Sequence, residues 1–167
     1  MDDLSERLFA HFVGGRWRAP FGTEQIPVPR GDGTAAGSVV LAGPRDLARA
    51  QACLRGADQP ARERAAKVFA ELGLAHPFET AQQARAPMLV SMGVEDRQAL
   101  GAALGAGLAQ GVIWCPPPRA ALTATDIALR LQGADLPPGC FALIHAFTPR
   151  TAPLLQSTGL ACLAAHK

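Results

Sequence analysis

The chain has four cysteines whose thiols could in principle carry chemistry: Cys53, Cys115, Cys140 and Cys162. A thiol attacks as its thiolate, and that form needs a cationic neighbour or a helix N-terminus to lower its pKa. The four stand 62, 25 and 22 residues apart with no C-x-x-C, so the usual zinc and dithiol motifs are excluded and no metal site is expected. Cys115 closes the apolar run Val112-Ile113-Trp114-Cys115, at the kind of strand end where α/β proteins place ligands. No Lys or His stands beside it in sequence, so it reads as a structural thiol. Cys140 and Cys162 fall on apolar runs and read as core. His145 ends a strand at the same edge as Cys115, whereas His11 and His76 read as surface or loop residues. Trp17 and Trp114 read as packing anchors. No G-x-G-x-x-G cradle for phosphates is present; Gly101, Gly105 and Gly107 follow another spacing and suit close helix packing.

The scaffold for these groups is one domain's worth of chain. It has 167 residues, 49% of them apolar and 18% charged, with a formal net charge of +2. That is enough apolar mass for a core and excludes a disordered tail. The arginines are dispersed and aromatics make up 5%, so there is no nucleic-acid footprint. No run approaches the ~20 apolar residues of a membrane helix. The polar, acidic Met1–Leu8 does not read as a signal peptide, and a cytoplasmic protein with reduced thiols is expected. There are 33 Ala, 14 Arg, two Lys (Lys67 and Lys167), no Tyr and no Asn.

The pattern changes near residues 73–87. Before that seam, Phe12-Val13-Gly14-Gly15-Arg16-Trp17 is a short extended run with a glycine turn. Ile26-Pro27-Val28 and Gly37–Ala42 flank Asp32-Gly33, a hairpin signal, and Pro27 and Pro29 keep the first run at a sheet edge. From Pro44, the residues Leu47, Ala50, Cys53, Leu54 and Ala57 take helical spacing. A second helix spans 61–72, with Ala65, Val68, Phe69 and Leu72 inward and Arg62, Glu63, Arg64, Lys67 and Glu71 on a solvated face. Beyond the seam, strands at 88–92, 112–115, 141–145 and 160–164 alternate with helices at 97–110, 123–132 and 151–156. Such alternation implies a mostly parallel sheet with helices on its faces. The expected fold is α/β, a partial Rossmann-like three-layer unit at 87–167, with a β-rich arm at 12–42 and two helices at 44–73, all in a single domain.

The order of these segments resembles the N-terminal part of the aldehyde dehydrogenase superfamily. Phe12–Trp17, Ile26-Pro27-Val28 and Gly37-Ser38-Val39 are similar to the family's opening segment. Gly43–Ala50 and the helix from Arg62 look like its first two helices. Cys115-Pro116-Pro117-Pro118-Arg119-Ala120-Ala121-Leu122-Thr123-Ala124 lies without a gap over the family's K-P-S-E-x-A-P-L-T-A. Leu136-Pro137-Pro138-Gly139 with Cys140–Ala146 lies over its G-L-P-P-G-V-L-N-V-V-x-G. The linker at 73–87 is shorter than the family's.

The resemblance implies a chemistry whose parts can be checked. Aldehyde oxidation needs a thiolate nucleophile, oxyanion donors, a Glu to activate water and a nicotinamide cofactor. The resemblance places the nucleophilic Cys and base Glu beyond Lys167. It places the oxyanion Asn near Gly93-Val94-Glu95-Asp96-Arg97, where two acidic residues would repel an oxyanion and Arg97 is the one donor side chain. It places the ribose-holding Lys and Glu at Cys115 and Pro118, and neither side chain can replace a charged contact to a ribose. These readings imply a non-catalytic protein with no bound cofactor, working with a protein partner, such as a full-length aldehyde dehydrogenase, or as a homo-oligomer. A second reading makes the chain part of an NAD(P)-dependent aldehyde oxidoreductase completed in trans. Pro116-Pro117-Pro118 has the geometry to dock a partner as polyproline, but a rigid strand exit is the simpler reading.

Overall fold

The computed structural model describes residues 4, 7–74, 83–146 and 148–164. His76, His166 and Lys167 lie outside the described residues, as does the middle of the 73–87 seam. Gly14 and Gly15 take φ values of 61° and 75°, the left-handed geometry of a tight hairpin turn. They join β1 (His11–Val13) to β2 (Arg16–Arg18), with Phe12 opposite Trp17. This hairpin does not stay with the arm. Phe12 also pairs antiparallel with Leu143 and so extends the main sheet. The arm proper is β3 (Gln25–Pro29) against β4 (Ala35–Val40), a separate antiparallel pair. Its turn is held by Asp32, whose Oδ1 accepts from the Thr34 N–H at 2.9 Å and from the Thr34 hydroxyl at 2.6 Å.

Among the described residues, five helices follow the sequence periodicity, with their ends set by caps and contacts. They are α1 (Pro44–Cys53), α2 (Gln59–Glu71), α3 (Arg97–Gly107), α4 (Ala121–Gln132) and α5 (Thr148–Gln156). Asp58 and Asp96 cap α2 and α3 by accepting the Ala61 and Ala99 N–H groups, each at 2.9 Å. The apolar pattern carries α1 through Ala57, but the helix stops at Cys53. Leu54 turns extended, the Arg55 N–H bonds Gly139 O at 3.0 Å, and the Ala57 N–H bonds Leu108 O at 2.8 Å. Ala57 is buried in a linking segment, so its periodicity reports the core rather than the helix. A 3-10 turn at Pro118–Ala120 leads into α4, which starts before Thr123.

The main sheet has six strands in the order β2-β1-β7-β6-β5-β8, where β5 is Met88–Ser91, β6 Val112–Trp114, β7 Phe141–Leu143 and β8 Ala161–Ala164. β7, β6, β5 and β8 run parallel. Strand alternation sends Met88, Val90, Val112, Trp114, Phe141 and Leu143 into one core, where α2, α3 and α4 pack. Leu89, Ile113 and Ala142 point the other way, toward Leu47 and Ala50 of α1 and Leu155 of α5. This is a mostly parallel, three-layer, partial Rossmann-like sheet. Right-handed crossovers explain the division of helices. The chain steps one way through β5, β6 and β7, so α3 and α4 share a face. It then doubles back past β6 and β5 to reach β8, so α5 lies on the other. The strand order therefore reverses between β5 and β8.

Close approach is what the buried glycines permit. A Cβ on Gly107 would stand 2.7 Å from Val112 Cβ, and one on Gly101 would meet Leu74 O, so α3 sits tight on β6 and on the segment leaving α2. The tightest contact joins the end of α1 to the start of β7. Gly139 has φ 92°, and a Cβ there would meet the Cys53 carbonyl oxygen, a backbone atom that cannot rotate away. Gly139→Ala is expected to lower stability by at least about 2 kcal/mol, through clash and left-handed strain together. Gly31→Ala, whose Cβ meets open space, should change stability by less than about 1 kcal/mol. Urea denaturation of both variants checks the contrast.

Candidate functional site

In an open parallel sheet, ligands bind outside the carboxyl ends of the strands where the strand order reverses. Here that edge carries the loops after β5, β6 and β7. The loops are bonded to one another. The Trp114 indole N–H donates to Met92 O at 2.9 Å, the Cys115 N–H to Val90 O at 2.8 Å, and the Ile144 N–H to Trp114 O at 3.0 Å. Trp114 is fully buried, in keeping with a packing anchor that needs a partner for its N–H. Trp17, half-buried, packs on Phe12 at 5.3 Å and donates to Gln132 Oε1 at 3.0 Å.

Cys115 lies in the core among Leu89, Ile113, Ala142 and Ile144. Burial, with a smaller contribution from Cys162, pushes its thiol well above the ordinary range, so it stays protonated. Pro118 opens the 3-10 turn. A protonated, buried thiol and a proline ring at these two places do not fit a charged grip on a nucleotide ribose. After β5, Asp96 is engaged in capping α3, and Arg97 donates to Leu72 O at 2.7 Å, at the end of α2. Glu95 pairs with Arg119, Nε to Oε1 at 2.6 Å, on the surface. The Arg119 hydrogen bond holds the Glu95 carboxyl below its usual range, so Glu95 is anionic at neutral pH. Among the described residues, no group of three His, Cys, Asp or Glu side chains gathers as metal ligands would, and no helix is long and apolar enough to cross a membrane.

One histidine and one thiol stand where the sequence does not put them. His11 is fully buried rather than superficial, because β1 is an interior strand of the sheet between β2 and β7. His145 follows β7 and is buried as well, its ring 5.7 Å from that of His11. Burial, then His11, pushes the His145 pKa down to about 3, so it is neutral. Cys162 is exposed rather than in the core. It sits on β8, an outer strand bonded to β5 on one side, and Leu163 beside it is 41% exposed. Cys140 is buried, its thiol raised by desolvation to about 11.

Asp46 is the polar group that the motif reading leaves out. Its side chain is fully buried in α1 and accepts four hydrogen bonds. The donors are the N–H groups of Phe21 at 2.8 Å, Gly22 at 3.0 Å and Gly43 at 3.0 Å, and Arg49 at 3.2 Å. Burial would raise its pKa, but the three N–H donors outweigh it and hold the carboxyl low. One sequence signal was available: an acid three residues after Gly43, with Pro44 between, is half of a capping box.

Two outcomes follow. Asp46→Ala leaves three backbone donors without their acceptor and should cost about 3–5 kcal/mol in urea denaturation. Because the folded pKa is depressed, this stabilisation is present above the unfolded value of 3.8 and is lost as pH falls through the folded one. Thiol labelling of the native chain should modify Cys162 first and leave Cys115 and Cys140 unreacted until denaturant is added, as read by peptide mass mapping.

No protein-family model and no curated protein matches the sequence. Solved structures do match the fold. A mutant of aldehyde dehydrogenase C from Pseudomonas syringae, in complex with NAD+ and octanal, superposes with a TM-score of 0.75 at 14% identity, over 95% of this chain and 50% of its own. HpcC from Thermus thermophilus gives 0.68 at 19% identity, over 98% and 45%. An aldehyde dehydrogenase from Bacillus cereus, in complex with NAD+, gives 0.65 at 11% identity, over 92% and 45%. The chain spans about half the length of these structures, and over that span it has the aldehyde dehydrogenase fold.

Proposed function

We propose that this chain is a non-catalytic aldehyde-dehydrogenase-like scaffold that works as a structural or regulatory partner subunit. The observation that carries the reading is the end of β6. A ribose needs charged or well-placed polar contacts there. Cys115 instead turns a neutral thiol into the core, and Pro118 starts a rigid turn. The nearby charges are engaged with each other or with backbone, as Glu95 with Arg119 and Arg97 with Leu72 O. A scaffold of this kind acts through its surfaces. The lateral edge at β8 supports such a role: Ala161, Cys162 and Leu163 are exposed, and no charged residue lies between Arg150 and Ala164 to discourage strand pairing. The partner is a full-length aldehyde dehydrogenase or a second copy of this chain.

The second reading, an aldehyde oxidoreductase completed in trans, is favoured by the half-length match to NAD+-bound enzymes. Under it, NAD(P) would be held mainly by the second chain.

Calorimetric titration separates the two. The purified chain should give no saturable heat with NAD+ or NADP+ at millimolar concentration, and aldehyde-dependent NADH production would overturn the first reading. Light scattering after size exclusion should find an oligomer or a co-purified partner. A clean monomer with a stable fold would count against any role through the β8 edge.

A further inference from the structure

We propose that His11, His145 and Asp46 form an acid-sensitive latch that fastens the β3–β4 arm to the main sheet and releases it as the solution turns mildly acidic. The arm leaves the sheet at Phe21-Gly22 and returns at Val40–Gly43, and both ends are tied to these three residues. At the outgoing end, Asp46 accepts the Phe21 N–H at 2.8 Å and the Gly22 N–H at 3.0 Å. At the returning end, it accepts the Gly43 N–H at 3.0 Å. His11 Nε2 bonds Val40 O at 2.9 Å, and His145 accepts the Ala42 N–H on its carbonyl oxygen at 2.8 Å. Leu41 N–H to Glu24 O, at 2.8 Å, ties the two ends of the arm to each other.

The bond to Val40 fixes the tautomer of His11. A carbonyl only accepts, so His11 must carry its proton on Nε2. Its Nδ1 is then a bare lone pair, without a hydrogen-bond partner, 3.8 Å from Asp46 Oδ1. His145 Nε2 is also buried without a partner. The charged groups facing His11 are Asp46 and Arg49, both on α1, and the titratable group facing His145 is His11. A proton on His11 Nδ1 would meet Asp46. A proton on His145 Nε2 would find no acceptor among the described residues, and the ring of His11 lies 5.7 Å away. The closed cluster thus resists at least one of the two protons that its histidines take up when exposed.

Opening the arm releases the His11 ring from Val40 and the His145 carbonyl from Ala42, and a ring hydrated in the open form titrates near its ordinary value of 6.5. Below that pH the open form binds up to two more protons than the closed form. Its equilibrium constant rises up to about tenfold per pH unit for one histidine and about a hundredfold for both. Asp46 stays charged in both forms over this range and does not oppose the change. At neutral pH the arm is also held by the packing of Val28, Ala36 and Val39 on Leu8 and Ala121.

Hydrogen exchange of the full chain between pH 7 and pH 4.5, corrected for intrinsic rates, tests the proposal. Protection at Phe21, Gly22 and Ala42, whose N–H groups bond across the latch, should fall about tenfold to a hundredfold per pH unit below 6.5, while Val90 and Ile144 keep theirs. His145→Phe, which fills the site without a titrating ring, should flatten the arm's pH dependence by about one proton. A flat wild-type profile overturns the latch, and so does loss of protection in the sheet and arm in step, which marks global acid unfolding. If His145→Phe does not fold, ring NMR of the wild-type chain decides. Signals of His11 and His145 that titrate near 6.5 while the arm amides stay unchanged would overturn it.

Discussion

Four parallel strands side by side leave neither face for water. Every parallel step also needs a crossover, and the crossovers share one hand. Those constraints organise the molecule. They put α3 and α4 together over Val90, Val112 and Trp114, and they send α5 to the far side when the chain doubles back to β8. They leave the remaining parts of both faces open, and α1 and α2 fill them. The same reversal fixes where a ligand would have to sit, between the ends of β5 and β8. The position of the candidate site is therefore a consequence of covering the sheet, and it exists whether or not any chemistry is installed there.

Covering the sheet brings backbone close to backbone, and that creates the second requirement. Gly139 against Cys53, Gly56 against Ala109 and Gly101 against Leu74 are contacts in which a side chain would strike a carbonyl. Burying so much main chain leaves donors that need acceptors. Asp46 answers this where the arm and α1 meet, by collecting three N–H groups that belong to no helix or strand ladder. Its charge is tolerable because those donors replace water, and Arg49 adds a cation beside it. The two buried histidines fare less well, each with one ring nitrogen unpartnered. Among the described residues, the junction of arm and sheet thus gathers His11, Arg49 and His145, whose buried ring or guanidinium nitrogens lack partners.

Periodicity made most of the elements legible. The strand at Met88 and the helices at Arg97 and Thr123 announce themselves because alternation and 3.6-residue spacing are local properties. The failures share a cause, which is that burial is not local. Ala57 keeps a helical interval without being in a helix, because α1 is stopped by Gly139 arriving from another part of the chain. His11 looks superficial between Ala10 and Phe12, yet pairing of β1 with both β2 and β7 buries it. Cys162 looks internal between Ala161 and Leu163, yet β8 is an outer strand. Asp46 is not legible as a hub because an acid in a first helical turn usually faces water and suits the dipole. Only the arrival of Phe21 and Gly22 makes it a buried hub.

The sheet has two kinds of edge, and they differ in what remains to be satisfied. At the carboxyl edge, indole, amide and guanidinium donors already have acceptors within the chain, and the thiol is neutral. A ligand arriving there would have to displace bonds that are already made. At the lateral edge, the outer side of β8 offers backbone N–H and C=O groups that, among the described residues, no strand pairs. A partner strand arriving there would form bonds without breaking any within the fold. Binding follows the groups still lacking partners. By that criterion, what remains to be satisfied at the two edges, among the described residues, is backbone on the outer side of β8 and, at the carboxyl edge, the ring of His145 at Nε2.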